Sequence, residues 1–455
     1  VVSLPRVVIA APRSAGGKTT VTTGLMAALS RRGLRVSPHK VGPDYIDPTY
    51  HAAATGRPGR NLDPWLVGED LVGPLFAHGA AGSDVAVVEG VMGLFDGASP
   101  RLGLPPDFAS TAHVARLLEA PVILVVDASG VSASIAALVH GFATFDSRVR
   151  LGGVILNQVG SDRHELLLRE ALSRSGIPVL GAVRRDPALA TPSRHLGLVP
   201  VAERAGGITA WLDRVADAVA ASVDLEAVMR VARSAPDLPV APWSPPENPG
   251  RARATIAVAT GRAFTFGYAE TTELLASAGA DIVPFDPVTD PQLPEGTDGL
   301  VLGGGFPEIY ATELTGNASL RADVRALVSR GGPIVAECGG LLWLARALEG
   351  RPQCGVVDAE AAMSPRLVLG YREAVAVTDS PLAAAGTRVR GHEFHRTATT
   401  PAAGATAAWD LDGRTEGWAG PALHASYLHL HWAGVPGAAP RLVAAAAAAA
   451  AREPV

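Results

Sequence analysis

The chain has 455 residues, room for three ordinary domains or two large α/β ones, each with a sizeable core. Its 39 Lys and Arg stand against 44 Asp and Glu, a formal charge of −5 with no long basic block, which argues against nucleic acid as the main partner. Apolar stretches are strand-length, residues 1–20 hold no apolar leader core, Ala444–Ala451 falls far short of the ~20 residues of a spanning helix, and the two cysteines make no disulfide framework; no membrane segment and a reducing, cytoplasmic setting are expected.

In chain order, Arg6–Ala11 is a β-branched run that breaks into Pro12-Arg13-Ser14-Ala15-Gly16-Gly17-Lys18-Thr19-Thr20 and then a helical pattern through Leu29. A strand, a glycine loop and a helix in that order make a seat for phosphate. Backbone N–H groups around Ser14–Lys18 can face its oxygens, the helix offers its positive end, Lys18 neutralises charge, and the Thr19 hydroxyl suits Mg²⁺. Pro12 stands where the pattern G-x-x-x-x-G-K-[ST] has its first glycine, so a ligand-free glycine turn is the alternative. Ser14, Gly16, Gly17, Lys18, Thr19 and Thr20 are the candidate ATP contacts.

Magnesium-assisted phosphoryl transfer also needs carboxylates. The run Asp84–Glu89 reads as a strand with Glu89 at its carboxyl end, where open parallel sheets bind ligands. Asp44 and Asp47, in Lys40-Val41-Gly42-Pro43-Asp44-Tyr45-Ile46-Asp47-Pro48, are further candidates or else turn-forming acids beside proline. Asp96, next to Gly97, reads as a turn residue. Further strands at Val122–Asp127, Gly153–Asn157 and Val179–Val183, with a helical Glu165–Ser173, give the βαβ rhythm of a doubly wound parallel sheet. Six prolines between Pro236 and Pro249 forbid regular structure and mark a linker.

A second α/β alternation begins at Thr255–Ala259 and continues through Asp281–Pro284, Gly299–Leu302 and Pro333–Ala336. The fold class is thus α/β with two doubly wound parallel-sheet domains, residues 1–233 and 254–455, joined by a linker at 234–253. The last strand of the alternation runs into Glu337-Cys338-Gly339-Gly340 and the apolar helical run Leu341–Leu344, the outline of a nucleophile elbow. A helix N-terminus there would favour thiolate; the alternative is a cysteine buried as a small hydrophobe. A nucleophilic cysteine needs a base, and Ala425–Trp432 alternates like a strand with His429 and His431 on one face. Gly303-Gly304-Gly305, after another strand, can join the N–H of Gly339 as an oxyanion hole. Pro440 and the alanine run predict a final helix.

These motifs, with Glu89–Gly97, Gly391-His392-Glu393-Phe394-His395 and Ser426–His431, resemble the cobyrinic or hydrogenobyrinic acid a,c-diamide synthases of cobalamin biosynthesis over essentially the whole chain. The resemblance implies a dethiobiotin-synthetase-like, P-loop NTPase-like ATP domain followed by a class I glutamine amidotransferase domain. It implies ATP, Mg²⁺, L-glutamine and a corrinoid acid as small-molecule ligands, with a homodimer left open. Cys338 then attacks glutamine, Gly304, Gly305 and Gly339 stabilise the oxyanion, and ammonia displaces phosphate from an acyl phosphate of the a and c acetates. Thr19, Asp44 and Glu89 match metal positions; Asp44, Tyr45, Asp47 and Glu89 match the substrate side. His429 takes the histidine place of the class I strand V-Q-F-H-P-E, and His431 falls where the triad glutamate stands, leaving Glu393 as a substitute acid or a pocket residue. A cobyric acid synthase-like amidation of other side chains and a ParA-like nucleotide switch with a degenerate second domain are the alternatives.

Overall fold

A computed structural model describes residues 1–98, 102–191, 193–194, 197–204, 206–246 and 253–452. Two compact units divide the chain, Val1–Ser244 and Pro245–Val455.

The first unit is built on a parallel sheet of seven strands: β1 (Arg6–Ala10), β2 (Val36–Val41), β3 (Arg60–Leu62), β4 (Val85–Glu89), β5 (Val122–Asp127), β6 (Leu151–Val159) and β7 (Val179–Arg184), in the order β3-β2-β4-β1-β5-β6-β7. Strands buried on both faces need apolar residues at every position, which is why β1, β4 and β5 are near-continuous Val, Ile and Leu. Strand β2 is absent from the expected elements because Ser37, Pro38, His39 and Lys40 interrupt its apolar run. All six of its residues are nonetheless buried. The chain leaves β1 toward β2 on one side and continues from β4 to β5 on the other. The carboxyl ends of β1 and β4 therefore flank the switch point where such sheets bind ligands.

Helix α1 (Lys18–Arg31) starts directly after the glycine loop, with Gly17 left-handed at φ 86°. Its Gly24 brings it close to the helix Ile208–Ser222: a Cβ there would lie 2.6 Å from Val219 Cγ2. Helix α2 (Asp47–Thr55) comes after β2. Within the proline-rich segment, Leu238 exchanges backbone hydrogen bonds with Val2 and the Trp243 N–H donates to the Pro74 carbonyl, so this part runs along the first unit. Pro249 lies outside the described residues.

In the second unit a six-stranded sheet runs in the order Ala280–Phe285, Ala254–Ala259, Gly299–Leu302, Ile334–Glu337, Leu423–Ser426, Trp418–Gly420; only the last pair is antiparallel. Its core gathers Leu300, Leu302, Ile334, Leu341, Trp343 and Leu344. A second, mixed sheet, dominated by the long antiparallel pair Val357–Ala376 and Arg388–Thr400, has no counterpart among the expected elements. Many exposed positions along Val357–Ala376 blur any clear alternation. The predicted strand at 425–432 is corrected: the strand ends at Ser426, and His429 pairs with His392 only through an isolated bridge. The last helix is Ala438–Ala450.

Candidate functional sites

The loop after β1 and the ends of β2 and β4 converge on a buried ionic cluster. Lys40, carried by β2, places Nζ 2.5 Å from Asp47 Oδ2, 3.0 Å from Glu89 Oε1 and 3.1 Å from the Gly90 carbonyl oxygen. The Thr19 hydroxyl donates to Glu89 Oε1 at 2.6 Å and lies 3.2 Å from Asp47 Oδ2. On the far side, His51 Nε2 of α2 lies 2.6 Å from Glu89 Oε2. Lys18 donates to the Met92 carbonyl at 2.5 Å.

Burial alone would strip Lys40 of its proton, but Asp47, Glu89 and Asp44 outweigh it and hold the ammonium above its ordinary range. Burial would likewise raise Glu89. Lys40 and the hydrogen bonds of His51 and Thr19 keep it ionised below the usual carboxylate range. Asp47, buried and beside Asp44, is left well above that range despite Lys40. Burial, with Lys40 nearby, pulls Lys18 down to about 8.

Of the residues expected at phosphate, metal and substrate, the structure brings Lys18, Thr19 and Glu89 together with Asp47, expected on the substrate side. Asp44 is placed differently: its Oδ1 accepts the N–H groups of Ile46 at 2.7 Å and Asp47 at 3.0 Å, tying down the turn into α2. Tyr45 is buried beside it, Ser14 is exposed on the loop and Thr20 half-buried. Gly16 and Gly17 are fixed from below by Asn157, whose Nδ2 donates to the Gly16 carbonyl at 3.2 Å. Lys40 opens the motif Lys40–Pro48, but nothing local to the sequence assigns it a role. His51, in the middle of α2, carries no sequence signal at all.

In the second unit the parallel sheet sets three strand ends side by side. Register pairs Leu302 with Ala336 and Glu337 with Ser426, so the glycines after Leu302, the elbow at Cys338 and the segment leading to His429 leave adjacent strands. Cys338 has φ 46° and ψ −98°, a strained conformation for a non-glycine residue that costs about 1–3 kcal/mol. It is held by the Cys338 N–H donating to Ser426 O at 2.7 Å and the Gly340 N–H donating to Gly303 O at 3.0 Å. A Cβ on Gly340 would strike the Leu302 carbonyl at 2.5 Å, and one on Gly339 would stand 2.9 Å from Gly305 N. Only glycine fits either place.

Burial works against the thiolate that the elbow geometry favours. Burial, with Glu308 and Glu337 adding to it, pushes the Cys338 thiol far above its ordinary value, and the Gly339 N–H offsets only part of this. The helix Gly339–Leu344 has six residues, so its end is a weak source of positive potential. Such burial favours the thiol over the thiolate, so attack needs a base to take the proton.

His429 and His431 are both buried but face different partners. A Cβ on Gly304 would lie 2.6 Å from His429 Cε1, so this imidazole packs directly on the glycine loop. Its Nδ1 stands 3.7 Å from Glu337 Oε2, and its ring stacks on His392 at 4.9 Å between centroids. His431 Nε2 faces Glu270 Oε2 at 3.5 Å and its ring stacks on Tyr268 at 4.4 Å. Glu393, the candidate for a substitute acid or a pocket residue, is engaged by Arg372 at 2.6 Å and Arg414 at 3.0 Å, with His395 at 3.8 Å. Those partners, against the cost of burial, hold it near 2. The sequence motifs give no role to Glu270, Tyr268 or Glu337: the first two lie outside them, and Glu337 enters only as the neighbour of the cysteine.

Residues 7–199 match the CobQ/CobB/MinD/ParA nucleotide binding domain, and residues 255–436 match the CobB/CobQ-like glutamine amidotransferase domain. The hydrogenobyrinate a,c-diamide synthase of Streptomyces coelicolor is 58% identical, with 97% of each chain covered. That of Thermobifida fusca is 54% identical over 97% of each chain, and the cobyrinate a,c-diamide synthase of Gloeobacter violaceus 46% identical over 96% of each. Both sites thus sit in one chain that is similar along its whole length to enzymes of a single kind, and the chain belongs to the a,c-diamide synthase family.

Proposed function

We propose that the protein amidates the a and c acetate carboxylates of hydrogenobyrinic acid, consuming ATP and glutamine. The observation that carries this reading is the 58% identity to the Streptomyces coelicolor hydrogenobyrinate enzyme over 97% of both chains. The lower identity to relatives named for cobyrinate, 46% for that of Gloeobacter violaceus, supports the metal-free acid as acceptor.

Two chemistries are needed. A carboxylate is a poor acyl donor, so its oxygen first takes the γ-phosphoryl group of ATP and ADP leaves. Ammonia then attacks the acyl carbon, phosphate departs with the C–O electrons, and the nitrogen loses a proton. Lys18 and the loop N–H groups would hold the phosphates. Thr19 with Glu89 and Asp47 presents a hydroxyl, a carboxylate and a carboxyl group whose proton a bound cation would displace, a hard oxygen set that fits Mg²⁺, an ion that keeps waters and phosphate oxygens as its remaining ligands. The bound ion would neutralise charge on the phosphates. Lys40 would keep Glu89 and Asp47 from repelling the incoming substrate carboxylate.

In the second unit His429 would take the thiol proton of Cys338 as sulfur bonds to the glutamine amide carbon. Glycine N–H groups at 304, 305 and 339 would hold the oxyanion. The amide nitrogen then leaves with the proton returned by His429, as ammonia, and water releases glutamate from the thioester.

The test offers hydrogenobyrinic and cobyrinic acids in competition with ATP, Mg²⁺ and glutamine, following amidation by mass. Diamide formed first from the metal-free acid is expected. Products amidated at other side chains would point to a cobyric acid synthase-like enzyme, and ATP turnover without amidation or glutamine hydrolysis to a ParA-like switch. Cys338→Ala should abolish glutamine-dependent amidation and retain it with ammonium salts; equal loss with both donors would make Cys338 structural.

A further inference from the structure

We infer that Glu337 is the positioning residue that holds the His429 imidazole for its work on Cys338, in place of the acid that the chain lacks two residues after that histidine. The inference rests on the proposed pairing of His429 with Cys338. Glu337 closes the strand Ile334–Glu337, immediately before the elbow, and its register partner Ser426 lies three residues before His429. Oε2 stands at ion-pair distance from His429 Nδ1, 3.7 Å, while Oε1 accepts from Trp432 Nε1 at 3.5 Å. The indole thus braces the carboxylate through its other oxygen. The side chain is only 13% exposed, so the pair is shielded from solvent.

Other acids near this segment have different commitments, and Glu416 accepts from Ser426 Oγ at 2.6 Å and Tyr427 N at 2.8 Å. His431, in the usual place of the acid, is a base itself and faces Glu270 and Tyr268. Glu393 is shared among Arg372, Arg414 and His395. A carboxylate facing Nδ1 favours the tautomer protonated there, so that Nε2 can take the thiol proton, and stabilises the imidazolium formed when the proton arrives. Placing that acid next to the nucleophile in sequence lets one strand end align both.

The test uses the full chain and compares Glu337→Gln, Glu337→Asp, Glu270→Gln and His429→Ala. Glutamine hydrolysis, KM for glutamine, and covalent labelling of Cys338 by a glutamine-analogue electrophile are measured. Glu337→Gln is expected to lower kcat for glutamine and the labelling rate by about 10²-fold, with KM within about threefold of wild type, and Glu337→Asp to restore part of both. A structural defect would instead raise KM in step. Wild-type kcat in Glu337→Gln, or a greater loss in Glu270→Gln, overturns the inference. Full hydrolysis by His429→Ala would instead remove the reading of the base on which it rests.

Discussion

Gly304 packs against His429 so closely that a Cβ at position 304 would lie 2.6 Å from the ring carbon Cε1. The contact fixes the imidazole from the side of the glycine loop, and the loop cannot carry a side chain without displacing the ring. Gly304→Ala is therefore expected to lower glutamine hydrolysis by roughly 10²-fold, since a small misplacement of a positioned group costs that much. Amidation with ammonium salts should persist. Steady-state assays with each nitrogen donor check this, and equal loss with both would contradict it.

Gly17 meets a similar limit in the first unit. Its φ is 86°, and an added Cβ would fall 2.0 Å from Asn157 Nδ2. Gly17→Ala should raise KM for ATP by about tenfold or more, because both the left-handed backbone and the Asn157 contact are disturbed at the phosphate loop. Glutamine hydrolysis measured without ATP should survive.

Lys40 is the cation shared by Asp47 and Glu89, all of them buried. Removing one partner of a buried ion cluster costs about 3–5 kcal/mol, so Lys40→Met should lower the melting temperature as well as activity. Adding Glu89→Gln should recover part of the stability and none of the activity. Calorimetry of the single and double variants separates the two effects.

Glu416 supplies a pH dependence. Its carboxylate accepts from Ser426 Oγ at 2.6 Å and Tyr427 N at 2.8 Å, but burial raises it from 4.5 to about 7. The folded state then binds a proton more tightly than the unfolded chain. This contribution is complete below about pH 4.5 and is lost as pH rises through 7, up to about 3 kcal/mol. Glu416→Gln should flatten the decline of second-unit stability across that window, as followed by denaturant unfolding at stepped pH. An unchanged slope would mean that Glu416 does not carry the proton.

The chemistry-bearing motifs were legible because each lies at a strand end. The β-branched runs ending at Ala10, Glu89, Leu302 and Glu337 announce a parallel sheet, and a glycine loop, an acid or the elbow stands at the end of each. The polar strand β2 was not legible, since burial of Ser37, His39 and Lys40 depends on partners from elsewhere in the chain. The long antiparallel pair of the mixed sheet escaped for a related reason: no clear period marks a strand exposed at so many positions.

By itself the sequence determined that Lys18, Thr19, Glu89 and Cys338 lie at or just beyond strand ends in two α/β domains, because hydrophobic periodicity and glycine placement are local properties. Only the tertiary structure decided which groups face one another. It set Asp47 rather than Asp44 beside Thr19, gave His431 to Glu270, and brought Glu337 to His429. It also buried Cys338, which favours the thiol over the thiolate. Distance, register and desolvation control those outcomes, and none of them is a function of neighbouring residues in the chain alone.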